Sequence, residues 1–457
     1  MLRVAKLLPT VTQPDRRLLL KDRLAWLTLF GLIFLALSNT SIAGARSRDM
    51  GGVFYHLSAV LGSQAATVLE LGLFPLISSH VTAQFLVNTR WLILDQSEKE
   101  GQKQLQVLKK VICMFISLIS AMALVSSGYY GIGLGFFQSS MIVLQLVFAQ
   151  LLVFLMDESI QKGYGMGSGM NLFILLATSS SIVWGLLSPR FVTVNGVFES
   201  ESVLMCPFHK LWSQPSNIYS FSRCFTRLSL PNVLKAVVSL FAFSAVLWFR
   251  SHRSELAVQS TKLRGQTGNY PVRLLESCQF PCLVTLSIQA SLLIFSHVIW
   301  RFNGDSFITH LTGRWSSGLG NGPSAGFIPL VLPPDFSGPF IISVLSTCLY
   351  SVSTTIACVL LSIYWIEFSG QSSKDLSKAL KDQHVTIRGF RDSSVTQVLD
   401  RYIRPASVLS GAIVGLLISI VDIIGGLGSG IGIVVGTLAL QAHIEALVRE
   451  EGSPLFA

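Results

Sequence analysis

Charge is scarce in this sequence: Asp, Glu, Lys and Arg make up 13% of the 457 residues, against 51% hydrophobic. A chain of that length would ordinarily divide into soluble domains, but this balance is that of a protein solvated by lipid. Also missing are the patterns that carry catalysis or cofactors. The seven cysteines include no C-x-x-C pair and have no histidine cluster beside them, which excludes a zinc site and a disulfide framework. The eight histidines are dispersed, with neither an H-E-x-x-H pair nor a Ser/His/Asp arrangement, so an intramembrane protease is disfavoured. No glycine loop is followed by the Lys-Ser/Thr of a nucleotide site. Energy for any transport must therefore come from a partner.

What is present are long uncharged stretches. Crossing about 30 Å of hydrocarbon takes roughly 20 helical residues. In the first half, residues 24–45, 71–89, 111–156 and 163–189 qualify, and 111–156 is cut in two by the turn Gly128-Tyr-Tyr-Gly-Ile-Gly-Leu-Gly135. In the second half the stretches are 236–249, 277–300, 336–366, 405–421 and 423–444. This predicts an all-α membrane protein of ten spans. The sixth is short, but Lys235 and Arg250 at its ends can bury their stems and lift their charges to the interfaces. The eighth is long enough to need tilt. Arg16, Arg17, Lys21 and Arg23 precede an apolar run too long for a cleavable signal, which reads as a first anchor.

Most of the 34 basic residues fall in one set of loops, richest in 250–276 and 367–404, and basic loops stay in the cytosol. Both termini are then cytosolic, 1–23 at one end and 449–457 at the other. Loops 190–234 and 301–335 lie on the far side. Cys206 and Cys224 share the first of these, and there a disulfide and two separate thiols are both open readings. The sequon Asn39-Thr-Ser41 sits at the far edge of span one, too near the membrane for use.

Residues 50–69 are uncharged yet interrupted by Gly51, Gly52, His56, Ser58, Gly62, Ser63 and Gln64. That is too polar for lipid, leaving a re-entrant helix inside the protein or an interfacial loop helix. Five spans followed by five also allow an inverted repeat, although no self-similarity between the halves stands out to establish it. Gly163-Tyr-Gly-Met-Gly-Ser-Gly169 and Gly425-Gly-Leu-Gly-Ser-Gly430 read as helix starts and tight turns whose small residues permit close helix approach. Asp157, Glu158 and Lys162 read as solvated residues at a membrane border. Ser260-Thr-Lys-Leu-Arg-Gly-Gln266 is a basic loop tip with donors suited to phosphate oxygens. With the 367–404 cluster it suggests one basic docking surface, for which RNA is a natural partner.

The wording of several segments goes further. Thr67-Val-Leu-Glu-Leu-Gly-Leu-Phe-Pro75 with Ser78-Ser79, Asp157 to Gly169, Ser260 to Pro271, Trp365-Ile-Glu-Phe-Ser-Gly370 with Lys381-Asp-Gln383, and Gly425 to Gly430 together resemble the SecY family in its eukaryotic endoplasmic-reticulum branch. The motifs come in the family's order and cover essentially the whole chain. The resemblance implies two pseudo-symmetric five-helix halves, 24–189 and 235–448, around a central pore and hinged at 190–234. It implies a multi-pass channel of the endoplasmic-reticulum membrane that passes secretory polypeptides and releases transmembrane segments sideways into lipid.

It further implies an apolar ring of Leu73, Ile77, Met170, Ile174, Leu283 and Val435. A plug helix at about 50–66 should pack loosely enough to leave. A lateral gate should lie between spans two and three and spans seven and eight, its polar positions here being Ser78, Ser120 and Ser291. Ribosome contacts carry over to Lys262, Arg264, Arg388 and Arg391. The implied partners are beta and gamma subunits, the ribosome, nascent chains with their signal sequences, membrane lipids and a lumenal chaperone motor acting through accessory membrane proteins. No cofactor or metal is implied. A secondary transporter of a small solute is the competing reading, but it would be expected to place paired charges near mid-membrane, whereas Glu70, Asp422 and Glu445 sit toward span ends.

Overall fold

The computed structural model describes residues 9–452 apart from 17, 46–52, 90, 93–98, 132, 195–196, 214–223, 226, 228–229, 261–266, 274, 276–277, 305, 316–322, 329–330, 334–339, 370–371, 383 and 388–394. Among these residues ten long helices dominate: α1 Leu20–Asn39, α2 Phe74–Asn88, α3 Lys99–Ser126, α4 Phe136–Ser159, α5 Gly169–Leu187, α6 Val233–Ser251, α7 Gln279–Asn303, α8 Phe340–Phe368, α9 Val395–Ile424 and α10 Gly430–Gly452. The eight from α3 to α10 are long and apolar enough to cross a membrane by composition and length. α2 has only 15 residues, and α1 carries Lys21, Asp22 and Arg23 in its opening turns.

Several boundaries differ from the charge-free stretches, for local reasons. The fifth span starts at Gly169, because a π-turn over Ile160–Tyr164 ends in Gly163 at φ 108° and the chain bends through Gly165 to Gly167. The ninth starts ten residues before Pro405, which lies inside α9. α9 then runs through Asp422 and stops at Gly425, whose φ of 76° provides the left-handed residue that ends helices. Consequently the tenth span starts at Gly430, later than residue 423.

The two basic loops are joined. Strand Arg253–Ser260 pairs antiparallel with Thr267–Arg273 on one side and Val385–Ile387 on the other. Beneath this sheet, Leu256, Leu380, Ile387, Val395 and Leu399 form a small apolar cluster. On the opposite loop set, strands Phe191–Val194 and Val197–Ser200 make a hairpin, and buried Cys206 and Cys224 form a disulfide. The open question left by the sequence is thereby answered in favour of the bridge. Asn232 caps α6, its Oδ1 accepting the Lys235 amide at 2.7 Å.

At the amino terminus, the chain lies across the ends of α3 and α4. The ammonium groups of Lys110 and Lys162 donate to the Pro9 and Val11 carbonyls while gripping Glu158 at 2.9 and 2.6 Å. Glu158 and its neighbour Asp157 are buried, so their reading as solvated border residues is corrected. Burial follows from partners: two cations compensate one carboxylate, and the Met170 backbone amide and the Gln161 side-chain amide compensate the other.

Candidate functional site

The six expected ring positions share the protein interior. Leu73 and Ile77 at the start of α2, Met170 and Ile174 at the start of α5, Leu283 on α7 and Val435 on α10 are all buried and belong to one apolar cluster. Before α2, residues 67–73 run as turns whose amides find local acceptors, Gly72 to Leu69 O at 2.9 Å and Glu70 to Thr67 O at 3.1 Å.

The polar excursion before α2 lies inside the protein, as the re-entrant reading required. Its neck is closed by a bridge between Ser41 and Thr67, with Ile42 N donating to Ala66 O at 3.0 Å and Val68 N to Thr40 O at 2.9 Å. Within it a 3₁₀ turn, Tyr55–Leu57, leads into a one-turn helix, Ser58–Leu61. Met50, Gly51 and Gly52 lie outside the described residues. Val53, Phe54, Leu57, Val60 and Leu61 are at most 3% exposed and join the same cluster as the ring. The expectation of loose packing is corrected: each such side chain contributes about 1.5–3 kcal/mol on full burial. The glycines and serines loosen only the ends. Leu61 O accepts from Leu73 N at 2.8 Å, which places the short helix directly against the first ring residue. Gly72, at φ 56°, permits this, since a Cβ there would strike the Leu61 carbonyl.

Glu70 is buried beside Tyr129 and Tyr130 in the turn between α3 and α4. Burial raises its carboxyl to about 7, and the nearby phenols and the backbone at Ala66 offset part of that rise.

To one side of the ring, α2, α3, α7 and α8 enclose a cleft of about 1010 Å³. Its wall is apolar, with Phe74, Phe85, Phe280, Val284 and Trp365 among the lining residues, and Phe280 stacks on Trp365 at 3.7 Å. Ser78 and Ser291 line it. Ser120 is buried on α3, its hydroxyl donating to Ile116 O at 2.7 Å, and it is not part of the cleft wall. Among the described residues no hydrogen bond links the three serines: Ser291 donates to Ser287 O at 2.7 Å, and Ser78 Oγ is unpartnered.

One polar contact crosses between the halves at the ring. Gln279 Nε2, at the start of α7, donates to Asn171 Oδ1 on α5 at 2.6 Å. The sequence offered a signal for it, since Asn171 follows a ring residue and Gln279 opens span seven, but their proximity depends on how α5 meets α7. Lys262, Arg264, Arg388 and Arg391 lie outside the described residues. The strands next to them in sequence, Arg253–Ser260 and Thr267–Arg273 around the first pair and Val385–Ile387 before the second, belong to one sheet.

Comparison with known proteins agrees with this architecture. The Sec61 alpha subunit of Dictyostelium discoideum, named as a protein transport protein, is 32% identical over 450 residues, covering 97% of this chain and 95% of that one. Among solved structures, a protein-conducting channel superposes with a TM-score of 0.79 at 23% identity over 100% of this chain and 99% of its own. Sec61 from the canine ribosome-channel complex of the endoplasmic reticulum superposes with 0.78 at 23% identity over the same shares. An idle yeast Ssh1 complex bound to the yeast 80S ribosome reaches 0.77 at 25% identity over 98% and 94%. The SecY family model matches residues 67–441, from the segment before α2 into α10, and with the relative above it establishes that this chain belongs to the SecY family.

Proposed function

We infer that this chain is the pore-forming subunit of a translocon in the endoplasmic-reticulum membrane, passing secretory polypeptides across and releasing hydrophobic segments into lipid. The observation that supports this is that six apolar side chains from four helices are buried in one apolar cluster with residues of the short helix Ser58–Leu61, beside an apolar cleft. An apolar waist resists wetting and ion leakage while its flexible side chains yield to a passing chain. The cleft between α2 and α7 is the exit for signal sequences and transmembrane segments. Ser78 and Ser291 lower the cost of opening it, because hydroxyls tolerate both water and lipid better than a sealed aliphatic seam.

The sheet carrying Lys262, Arg264, Arg388 and Arg391 is the ribosome-facing surface, which places both termini in the cytosol. Substituting Lys262 and Arg264 together by Glu would weaken ribosome binding in a salt-dependent way. Beta and gamma subunits complete the complex, and a lumenal chaperone motor acts through accessory membrane proteins where the ribosome does not push. The transporter reading is not favoured, for Asp157 and Asp422 hold backbone amides, Glu158 holds two lysines and Glu445 holds Arg250.

Crosslinking tests the pore. A stalled secretory nascent chain should crosslink to cysteines introduced as Ile77→Cys and Met170→Cys, and absence of both crosslinks overturns the assignment.

A further inference from the structure

Two hexapeptides, Gly165-Met-Gly-Ser-Gly-Met170 and Gly426-Leu-Gly-Ser-Gly-Ile431, differ only by exchanges among Met, Leu and Ile. They occupy corresponding places, the first joining α4 to α5 and the second α9 to α10, the fourth and fifth long helices of each half. Ser168 and Ser429 accept the amides of Asn171 and Gly432 at 3.4 and 3.3 Å, and Gly167 and Gly428 have φ of 72° and 87°. Four residues after each hexapeptide come Ile174 and Val435, both ring positions. This is the self-similarity that the sequence by itself did not bring out.

The structure adds a carboxylate to each copy. Asp157, in the last turn of α4, accepts the Met170 amide on Oδ1 at 2.9 Å. Asp422, in the last turns of α9, accepts the Gly430 amide on Oδ1 at 2.5 Å. Each satisfies an orphan donor at a helix start and sets negative charge at the positive end of the helix dipole. Close approach requires glycine in both: a Cβ on Gly169 would lie 2.7 Å from Asp157 Cα, and one on Gly430 would lie 3.0 Å from Asp422 Oδ1.

The second oxygen of each carboxylate faces a further helix. Asp422 Oδ2 accepts the Tyr350 hydroxyl of α8 at 2.6 Å. Asp157 Oδ2 accepts Gln161 Nε2 at 2.8 Å and lies 3.6 Å from His80 Nε2 of α2. His80 Nδ1 is 3.0 Å from Leu76 O and so carries a proton toward it, which makes the imidazole tie an ion pair only when both nitrogens are protonated. α2 and α8 are two of the four helices that enclose the cleft.

We propose that Asp157 and Asp422 are paired positioning residues of gating, Asp422 fixing the start of ring helix α10 to cleft helix α8, and Asp157 fixing the start of ring helix α5 to cleft helix α2 when the His80 imidazole is doubly protonated. Alternating crossings put the two ties on opposite faces of the membrane, so that movement of the cleft wall at either face is registered at the ring. The proposal rests on the channel reading above.

The test uses the full chain with its partner subunits in proteoliposomes, comparing translocation of a precursor bearing a full-strength signal with one whose hydrophobic core is shortened, alongside resting ion conductance. Loss of a hydrogen bond to a charged group by Tyr350→Phe should raise the short-to-full translocation ratio and the resting conductance by about tenfold, with protein level and full-strength translocation near wild type. Asp422→Asn keeps one acceptor, for the Gly430 amide, and replaces the other oxygen by an N–H donor that the Tyr350 hydroxyl can accept, so it should fall between wild type and Tyr350→Phe. Asp422→Ala should exceed Tyr350→Phe, and adding Tyr350→Phe to it should change nothing more; if Asp422→Ala fails to accumulate, Tyr350→Phe decides alone. A wild-type ratio and wild-type conductance in Tyr350→Phe overturn the proposal. Failure of the channel reading looks different, since the unmutated protein would then translocate neither precursor.

Discussion

The two sides of the pore are built differently. On one side α5 meets α10 almost backbone to side chain: a Cβ at Gly432 would lie 2.8 Å from Thr178 Cγ2, one at Gly436 2.9 Å from Thr178 Oγ1, and one at Gly428 2.9 Å from Ile182. On the other side α2 and α7 stand apart around a cleft of about 1010 Å³ lined by aromatic rings and hydroxyls. Close packing is bistable and unforgiving, whereas an unfilled cleft already lacks the contacts that would resist separation. The difference makes α5 and α10 the fixed side and α2 and α7 the moving one. The short helix Ser58–Leu61 rests on the fixed side, where Gly432 would also meet Val60 at 3.0 Å.

The comparison can be broken most directly at that short helix. Leu61→Ala removes a fully buried side chain, and about 2–5 kcal/mol of packing goes with it; resting ion conductance should rise sharply while signal-dependent translocation persists. Unchanged conductance would mean that the helix does not seal the ring. Next in size is Gly432→Val, which overpacks the α5–α10 seam by about 1–3 kcal/mol and should lower the detergent melting temperature. The matched Val284→Leu, on the cleft wall, should leave it nearly unchanged; equal losses would erase the distinction between the sides.

A smaller effect is expected from Asn171→Ala, which deletes the hydrogen bond to Gln279 between the halves, at about 1 kcal/mol. Here the melting temperature should move little while translocation of a precursor with a shortened signal improves.

The last prediction concerns pH. Burial lifts the Glu70 carboxyl from 4.5 to about 7, so the packed state binds more protons than a solvated one between those values, and packing is strongest at the acid end and weakens as pH rises through about 7. Resting conductance should be higher at pH 8 than at pH 5, and Glu70→Gln should flatten the profile. A steep profile in Glu70→Gln would assign it to another group.

Much of this was legible beforehand, and the reasons differ by residue. The stretch from Val111 to Met156 reads as two helices because its glycine turn leaves no other way to cross. Residues 50–69 could be recognised as too polar for lipid, which left a re-entrant helix and an interfacial one both open until the burial of Phe54, Leu57 and Leu61 decided for the first. The error there was energetic: counting Gly and Ser suggested weak packing, but Phe54, Leu57 and Leu61 decide it, and their burial depends on what surrounds them. Asp157 and Glu158 were misread for the same reason, since a carboxylate's environment is set by residues such as Lys110 and Met170 that are far away in sequence or reached only around a turn.

The sequence by itself determined that the chain lives in a membrane, where its crossings fall, which loops carry the positive charge and, through its motifs, the family to which it belongs. These follow from the cost of charge in hydrocarbon and from local order of residues, both readable along a line. Only the tertiary structure decided that α2 and α5 begin at the ring, that one seam is closed and the other open, and that Asp157 and Asp422 play matching parts at opposite ends. Such properties depend on distances between helices, and side-chain volume and hydrogen-bond geometry fix those distances only once all ten helices are packed together.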